Sequence, residues 1–194
     1  MFAARRDDAT VTGFALAAKA GDREAATRFV EATHADVHRF LVYLIGVADA
    51  EDLAQETYLR AMRALPRFAA RATARTWLLA IARRVAADHL RTASRQPRRA
   101  GLDAWQPAAE AASLRHGAAL LDEQVALRDL LDRLPAQRRE AFIATQLLGL
   151  SYAEAADVCD CPVGTIRSRV ARAREDLVAA MACDTPDRDR RATG

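Results

Sequence analysis

The chain has 194 residues, enough for one compact domain or for two of roughly 70 residues each, and 51% of them are apolar against 6% aromatic. Alanine and leucine dominate while glycine (8) and proline (6) are scarce, which favours helices and leaves no stretch with the alternation of a sheet. A net charge of +3 points to no partner by itself, and no apolar run approaches the roughly 20 residues needed to cross a bilayer.

The first block is expected over residues 10–95. Gly21 stops one helix and Asp22 N-caps the next, whose apolar positions Phe29, Val37, Phe40, Leu41 and Leu44 recur at helical spacing. Gly46 ends it. A third helix starts at Asp49 or Asp52, carries Leu53, Tyr58, Leu59, Met62 and Leu65, and ends at Pro66. A short basic loop leads to a fourth helix from Thr76 to Arg95, with Trp77, Leu78, Ile81, Val85 and Leu90 on its apolar side. Trp77, Tyr58 and Tyr152 are expected as packing residues.

Between residues 96 and 121 the periodicity fades around Pro97, Gly101, Pro107 and Gly117, the marks of a flexible linker. The second block, 122–183, opens near Asp122 with a helix on Leu127, Leu130, Leu131 and Leu134, stopped by Pro135. Arg138 to Leu148 forms another, ended by Gly149. Ser151 and Glu154 then spell a capping box for a short helix to Val158. The turn Cys159-Asp-Cys161 follows, and Pro162 opens a last helix to about Met181. The charged, Pro-broken segment 184–194 is expected as a disordered tail.

A short capped helix, a tight turn and an arginine-rich helix describe a helix-turn-helix. In the second helix Ile166, Val170, Ala173 and Leu177 recur at +4, +3 and +4 and make the buried stripe. Arg167, Ser168, Ala171 and Arg172 share another face. Two arginines flanking small residues suit the major groove, where arginine bonds guanine O6 and N7. Gly164 and Thr165, at the helix N-terminus, suit a phosphate. The competing account is a plain surface helix whose arginines pair with Glu154, Asp157 and Glu175.

Charge is unevenly spread. From Arg60 to Arg99 there are eleven arginines and one acid, Asp88, an electrostatic footprint for a polyanion unless it is merely a solvated face. The preceding Asp49–Glu56 carries four acids and no base. On a helix Asp52, Gln55, Glu56 and Leu59 fall on one side, either as dipole compensation at a helix start or as a docking surface for a basic helix. The thiols Cys159, Cys161 and Cys183 form no CxxC pair and are expected reduced. His34, His38 and His89 show no ligand spacing with cysteines or acids, so neither a metal nor a cofactor is implied. The N-terminus Met1-Phe-Ala-Ala-Arg-Arg lacks the apolar core of a signal peptide, and a cytoplasmic location is expected.

Taken together, Asp49-Ala-Glu-Asp-Leu-Ala-Gln-Glu-Thr-Tyr-Leu-Arg, Thr76-Trp-Leu-Leu-Ala-Ile-Ala-Arg, Leu134-Pro-Ala-Gln-Arg-Arg-Glu, Gly149-Leu-Ser-Tyr-Ala-Glu-Ala-Ala and Cys161-Pro-Val-Gly-Thr-Ile-Arg-Ser-Arg-Val-Ala-Arg-Ala-Arg resemble the extracytoplasmic-function (ECF) sigma-70 family through nearly all of residues 20–182. The wording is similar to the actinobacterial sigma C type. The resemblance implies an all-α protein of two small helical domains: a sigma region 2 bundle over 10–95 and a helix-turn-helix region 4 domain over 122–183. It further implies an alternative sigma factor that binds core RNA polymerase and directs initiation, without catalysis of its own. Asp49, Asp52, Gln55, Glu56 and Leu59 would meet the β′ clamp helices, and region 4 would meet the β flap. The loop 68–73 and the following helix, through Arg71, Thr73, Arg75, Trp77, Arg83, Arg84 and Arg91, would capture the −10 element. Gly164, Thr165, Arg167, Ser168, Ala171 and Arg172 would read the −35 element, and an anti-sigma protein is implied as a further partner. Arg84 stands where the family often has Asn, which leaves the −10 base preference open. The linker is not notably acidic, with Asp103 and Glu110 its only acids from Ala100 to Leu121.

Three other classes of function compete with this reading. A repressor or activator that binds DNA without polymerase would need the helix-turn-helix but neither the acidic patch nor the first block. An enzyme is disfavoured because there is no phosphate loop, no GxGxxG and no Ser/His/Asp set. A pure interaction module would fail to bind DNA at all.

Overall fold

The computed structural model describes residues 8–95 and 127–191; the expected linker 96–121 and the expected start of the second block at Asp122 lie outside the described residues. The first module contains α1 (Asp8–Lys19), α2 (Arg23–Leu44), α3 (Val47–Ala64), a 3-10 turn (Leu65–Arg67) and α4 (Ala74–Arg95). The second contains α5 (127–132), α6 (Ala136–Phe142), α7 (Tyr152–Cys159) and α8 (Val163–Arg191). There is no strand among the described residues. None of the described helices is long and apolar enough to cross a membrane.

Helix ends follow local chemistry. Asp22 caps α2 by accepting the Ala25 N–H at 3.0 Å, behind Gly21 at φ +101°. α3 starts at Val47, ahead of the acids, because Gly46 at φ +129° turns the chain there. α4 begins two residues before Thr76: the Thr73 hydroxyl accepts the Thr76 N–H at 3.1 Å, so Thr73 holds the capping position. The capping box of α7 is complete, with Ser151 N–H on Glu154 (2.8 Å) and Glu154 N–H on the Ser151 hydroxyl (3.2 Å). Pro162 stands just outside α8, its carbonyl accepting the Thr165 and Ile166 amides.

Two stretches and two single side chains depart from expectation. The helix expected over 138–148 is α6 followed by a π turn, Ile143–Leu147, in which the Leu148 N–H reaches back to the Ile143 carbonyl. Residues 184–191, expected as a tail, continue α8; extending an existing helix avoids the cost of nucleating one. Leu90 and Tyr152, expected to pack, are 45% and 38% exposed.

The core of the first module is Phe29, Val37, Phe40 and Leu41 of α2 against Leu78, Leu79 and Val85 of α4. The second closes over Leu131, Ile143, Val158, Ile166 and Val170. Each such side chain contributes about 1.5–3 kcal/mol by leaving water. The two modules touch where α4 packs on α7. From α5, the Arg128 guanidinium donates to the Val42 carbonyl (2.6 Å) and the Ile45 carbonyl (2.9 Å) at the end of α2.

Candidate nucleic-acid and polymerase interface

The helix-turn-helix runs α7, the turn 160–162, then α8, which packs on both α6 and α7. Asp160 takes φ +52° to reverse the chain. Ile166 and Ala173 are fully buried and Val170 is 1% exposed, with Leu177 packed beside them. Gly164, Arg167, Ser168, Ala171 and Arg172 are exposed along the opposite side, and Thr165 is half-buried. A side chain at Gly164 would meet open space. Arg167 and Arg172 stand in no ion pair among the described residues; Glu154, a partner in the competing account, is spent on the cap. The ion pairs of this module hold its frame instead, through Arg138–Asp176 (2.6 Å), Arg128–Asp132 (3.3 Å) and Arg139–Asp132.

Arg169 is a residue that motif reading missed. Its guanidinium donates to Gln137 Oε1 (2.7 Å) and to Cys161 Sγ (3.4 Å), tying α8 to α6 and to the turn. Its spacing of +3 from Ile166 and −4 from Ala173 already turns it toward the module rather than the groove. Cys159 is buried and Cys161 half-buried, both as free thiols.

The seven residues expected at the −10 element divide. Arg71 and Arg84 are exposed. Arg75 is 14% exposed, its Nε on Asp36 at 2.7 Å and its Nη2 on the Leu148 carbonyl at 2.7 Å. Arg83 pairs with Glu140 at 2.8 Å, with 24% and 17% of the two side chains exposed. Burial opposes the Arg83 charge, but the Glu140 hydrogen bond and charge outweigh it and hold the guanidinium above its ordinary value. Arg91 is joined to Asp88, Thr73 caps α4, and Trp77 lies tilted on Phe68 with ring centres 4.8 Å apart. So Arg75 and Arg83 face the second module, not an open groove.

On α3, Asp52, Gln55 and Leu59 are exposed on one side, Leu59 at 54%. Beside them Val30, His34, Ala54, Tyr58 and Met62 line an apolar groove of about 410 Å³. Glu56 and Asp49 are engaged elsewhere. Glu56 accepts from Arg60 at 2.7 Å, Arg60 reaches Asp88 at 2.6 Å, and Asp49 faces His89 at 3.7 Å. Hydrogen bonds from Arg60, then Arg91, hold the Asp88 carboxyl below its usual range. Tyr58 is pushed up to about 12 by burial despite its hydrogen bond with Thr33 (2.8 Å). The histidines stand near single carboxylates: His34 and His38 flank Glu51 at 3.7 and 4.0 Å. No group of three His, Cys, Asp or Glu fit to hold a metal occurs among the described residues.

Two family models match the chain: sigma-70 region 2 over residues 29–96 and sigma-70 region 4 over residues 124–177. The chain is 50% identical over 179 residues to the "Probable RNA polymerase sigma-C factor" of Mycobacterium bovis and to the "ECF RNA polymerase sigma factor SigC" of Mycobacterium tuberculosis, covering 92% of this chain and 95% of each relative. Among solved structures, CnrH in complex with the cytosolic domain of CnrY superposes with a TM-score of 0.71 at 23% identity, covering 90% of this chain and 99% of that one. The sigma factor RpoE in complex with the anti-sigma factor NepR from Bartonella quintana gives 0.62 at 25% identity, covering 81% and 97%. Two helical modules of these kinds in one chain define a sigma-70 factor. The chain belongs to the ECF sigma-70 factors: it is an alternative sigma factor that directs transcription initiation by RNA polymerase at promoters, and it is not an enzyme.

Proposed function

We propose that α8 reads the −35 element through Arg167, Ser168, Ala171 and Arg172, with Gly164 and Thr165 against the phosphate backbone. The exposed face opposite the Ile166–Val170–Ala173 stripe carries this assignment, because it is shaped for the groove and its arginines are not consumed by acids. Because the Thr165 N–H is held by the Pro162 carbonyl, a phosphate at this helix end would meet the amides of Val163 and Gly164. The loop 68–73 and α4 capture the −10 element through Arg71 and Arg84, and through Arg75 and Arg83 once the second module has left α4. Asp52, Gln55 and Leu59 dock on the β′ clamp helices of core polymerase, and the 122–183 module meets the β flap. The working compartment is the cytoplasm. An anti-sigma protein, which the RpoE relative has, is a further partner.

Replacing Arg167 or Arg172 by Ala tests the central assignment. Each substitution is expected to cost about 1–3 kcal/mol in binding to promoters with an intact −35 element and much less on altered ones. An equal loss on every sequence would reduce these arginines to phosphate contacts.

A further inference from the structure

The loop 68–73 is fixed from outside by α1, a helix that precedes the segment matched by the region 2 family model. Lys19, the single lysine of the chain, sits at the end of α1 and donates from Nζ to the Phe68 carbonyl at 2.8 Å, where the loop begins. Two turns earlier on the same helix, Thr12 Oγ1 accepts the Ala74 N–H at 3.0 Å, where the loop ends. The Thr12 proton goes to the Asp8 carbonyl at 2.7 Å, so the oxygen is aimed at the loop. These bonds join positions 49 and 62 residues apart. Val11 and Ala15, both buried, anchor α1 to the core.

Between the two pins Ala70 takes φ +52°. A residue with a Cβ adopts that conformation at a cost, and keeps it only where its surroundings over-determine it. The start of the loop is further seated by Phe68, 4% exposed, under Trp77. One helix therefore holds both ends of a loop whose middle is strained.

We propose that Lys19 and Thr12 are positioning residues for promoter opening, and that α1 is a strut holding loop 68–73 in the shape that receives an unpaired −10 base. The inference rests on the assignment of that loop to the −10 element. A loop released from its pins spreads over other shapes, and its apparent affinity for the base falls by the fraction that remains competent.

The test uses the full chain bound to bacterial core polymerase, with Lys19→Met, which keeps the stem and loses the donor, and Thr12→Val, which keeps the shape and loses the oxygen. 2-Aminopurine placed at each non-template −10 position reports base capture, and the rate of open-complex formation is followed beside it. Each variant is expected to slow opening and weaken the capture signal about five-fold, the equivalent of one ordinary hydrogen bond, with core affinity unchanged. Lys19→Arg, which retains a donor, is expected to restore most of the signal. Unchanged capture in both variants would overturn the strut. So would a loss that Lys19→Arg does not rescue and that tracks a lower Tm, since that marks a merely structural contact. Arg71→Ala separates the two levels: if it shifts the signal while the α1 variants do not, only the strut falls; if it too leaves the signal unchanged, the −10 assignment of the loop falls with it.

Discussion

Cys159, the last residue of α7, is 3% exposed and lies within reach of the charges of Glu140 and Arg83. Burial first, and the Glu140 carboxylate second, push its thiol from 9.0 up to about 12. A raised value means that the native state favours the protonated thiol. The associated stability is whole below pH 9 and is lost as pH rises toward 12. Iodoacetamide at about pH 8 is therefore expected to label the native protein at Cys161 well before Cys159, with urea removing the difference; equal native rates, read by peptide mass spectrometry, would contradict the burial of Cys159. Residue roles were unevenly legible. The stripe of Ile166, Val170 and Ala173 follows from spacing alone, and with it the face bearing Arg167 and Arg172. Arg75 and Arg83 belong to a charge run, and a run does not say whether an arginine meets phosphate or carboxylate. Their partners, Asp36 and Glu140, lie 39 and 57 residues away, beyond any local pattern. The same distance hid the Lys19 and Thr12 pins.

Elements were legible where their ends carry a chemical signal, as at Asp22 and Ser151, and less so where a glycine or a tertiary contact decides. Gly46 is the clearest case. Its φ of +129° is one that residues with a side chain rarely adopt, and an added Cβ would stand 2.9 Å from Arg128 Nη1. Gly46→Ala therefore has to strain the start of α3 and displace the guanidinium from the Val42 and Ile45 carbonyls. A loss of about 1–3 kcal/mol is expected, read as a lower midpoint in urea. A neutral substitution would show that the α2–α3 corner relaxes freely. The π turn after α6 had no signal in apolar spacing, because the pattern at Ile143, Ala144 and Leu147 fits an α-helix equally well. The Leu148 amide, bonded five residues back to the Ile143 carbonyl, marks it, and the Leu150 amide closes the helix end on the Ala144 carbonyl.

At the scale of the whole molecule the two modules are held together by a small set of polar contacts around the α4–α7 packing: Arg83–Glu140, Arg75 on the Leu148 carbonyl, and Arg128 on the end of α2. The two-block layout was legible from the fading periodicity between them. That the blocks dock was not, because neither block shows an apolar patch in sequence that its own core does not use. Removing one partner of a half-buried ion pair leaves the other charge unpaired, which costs more than the pair contributes. Arg128→Ala combined with Glu140→Gln is expected to separate the modules without unfolding either, seen as a larger radius of gyration in solution scattering with unchanged helical circular dichroism. A radius identical to that of the parent chain would place the docking energy in the apolar contacts alone. The measurement that bears most directly on the account is binding to purified bacterial core RNA polymerase followed by run-off transcription from a pool of genomic promoters. The parent chain is expected to bind core and initiate at a restricted set of promoters, and Asp52→Lys, on the exposed face of α3, to lose core binding while remaining folded. A folded parent chain that grips duplex DNA but neither binds core nor supports initiation would contradict it.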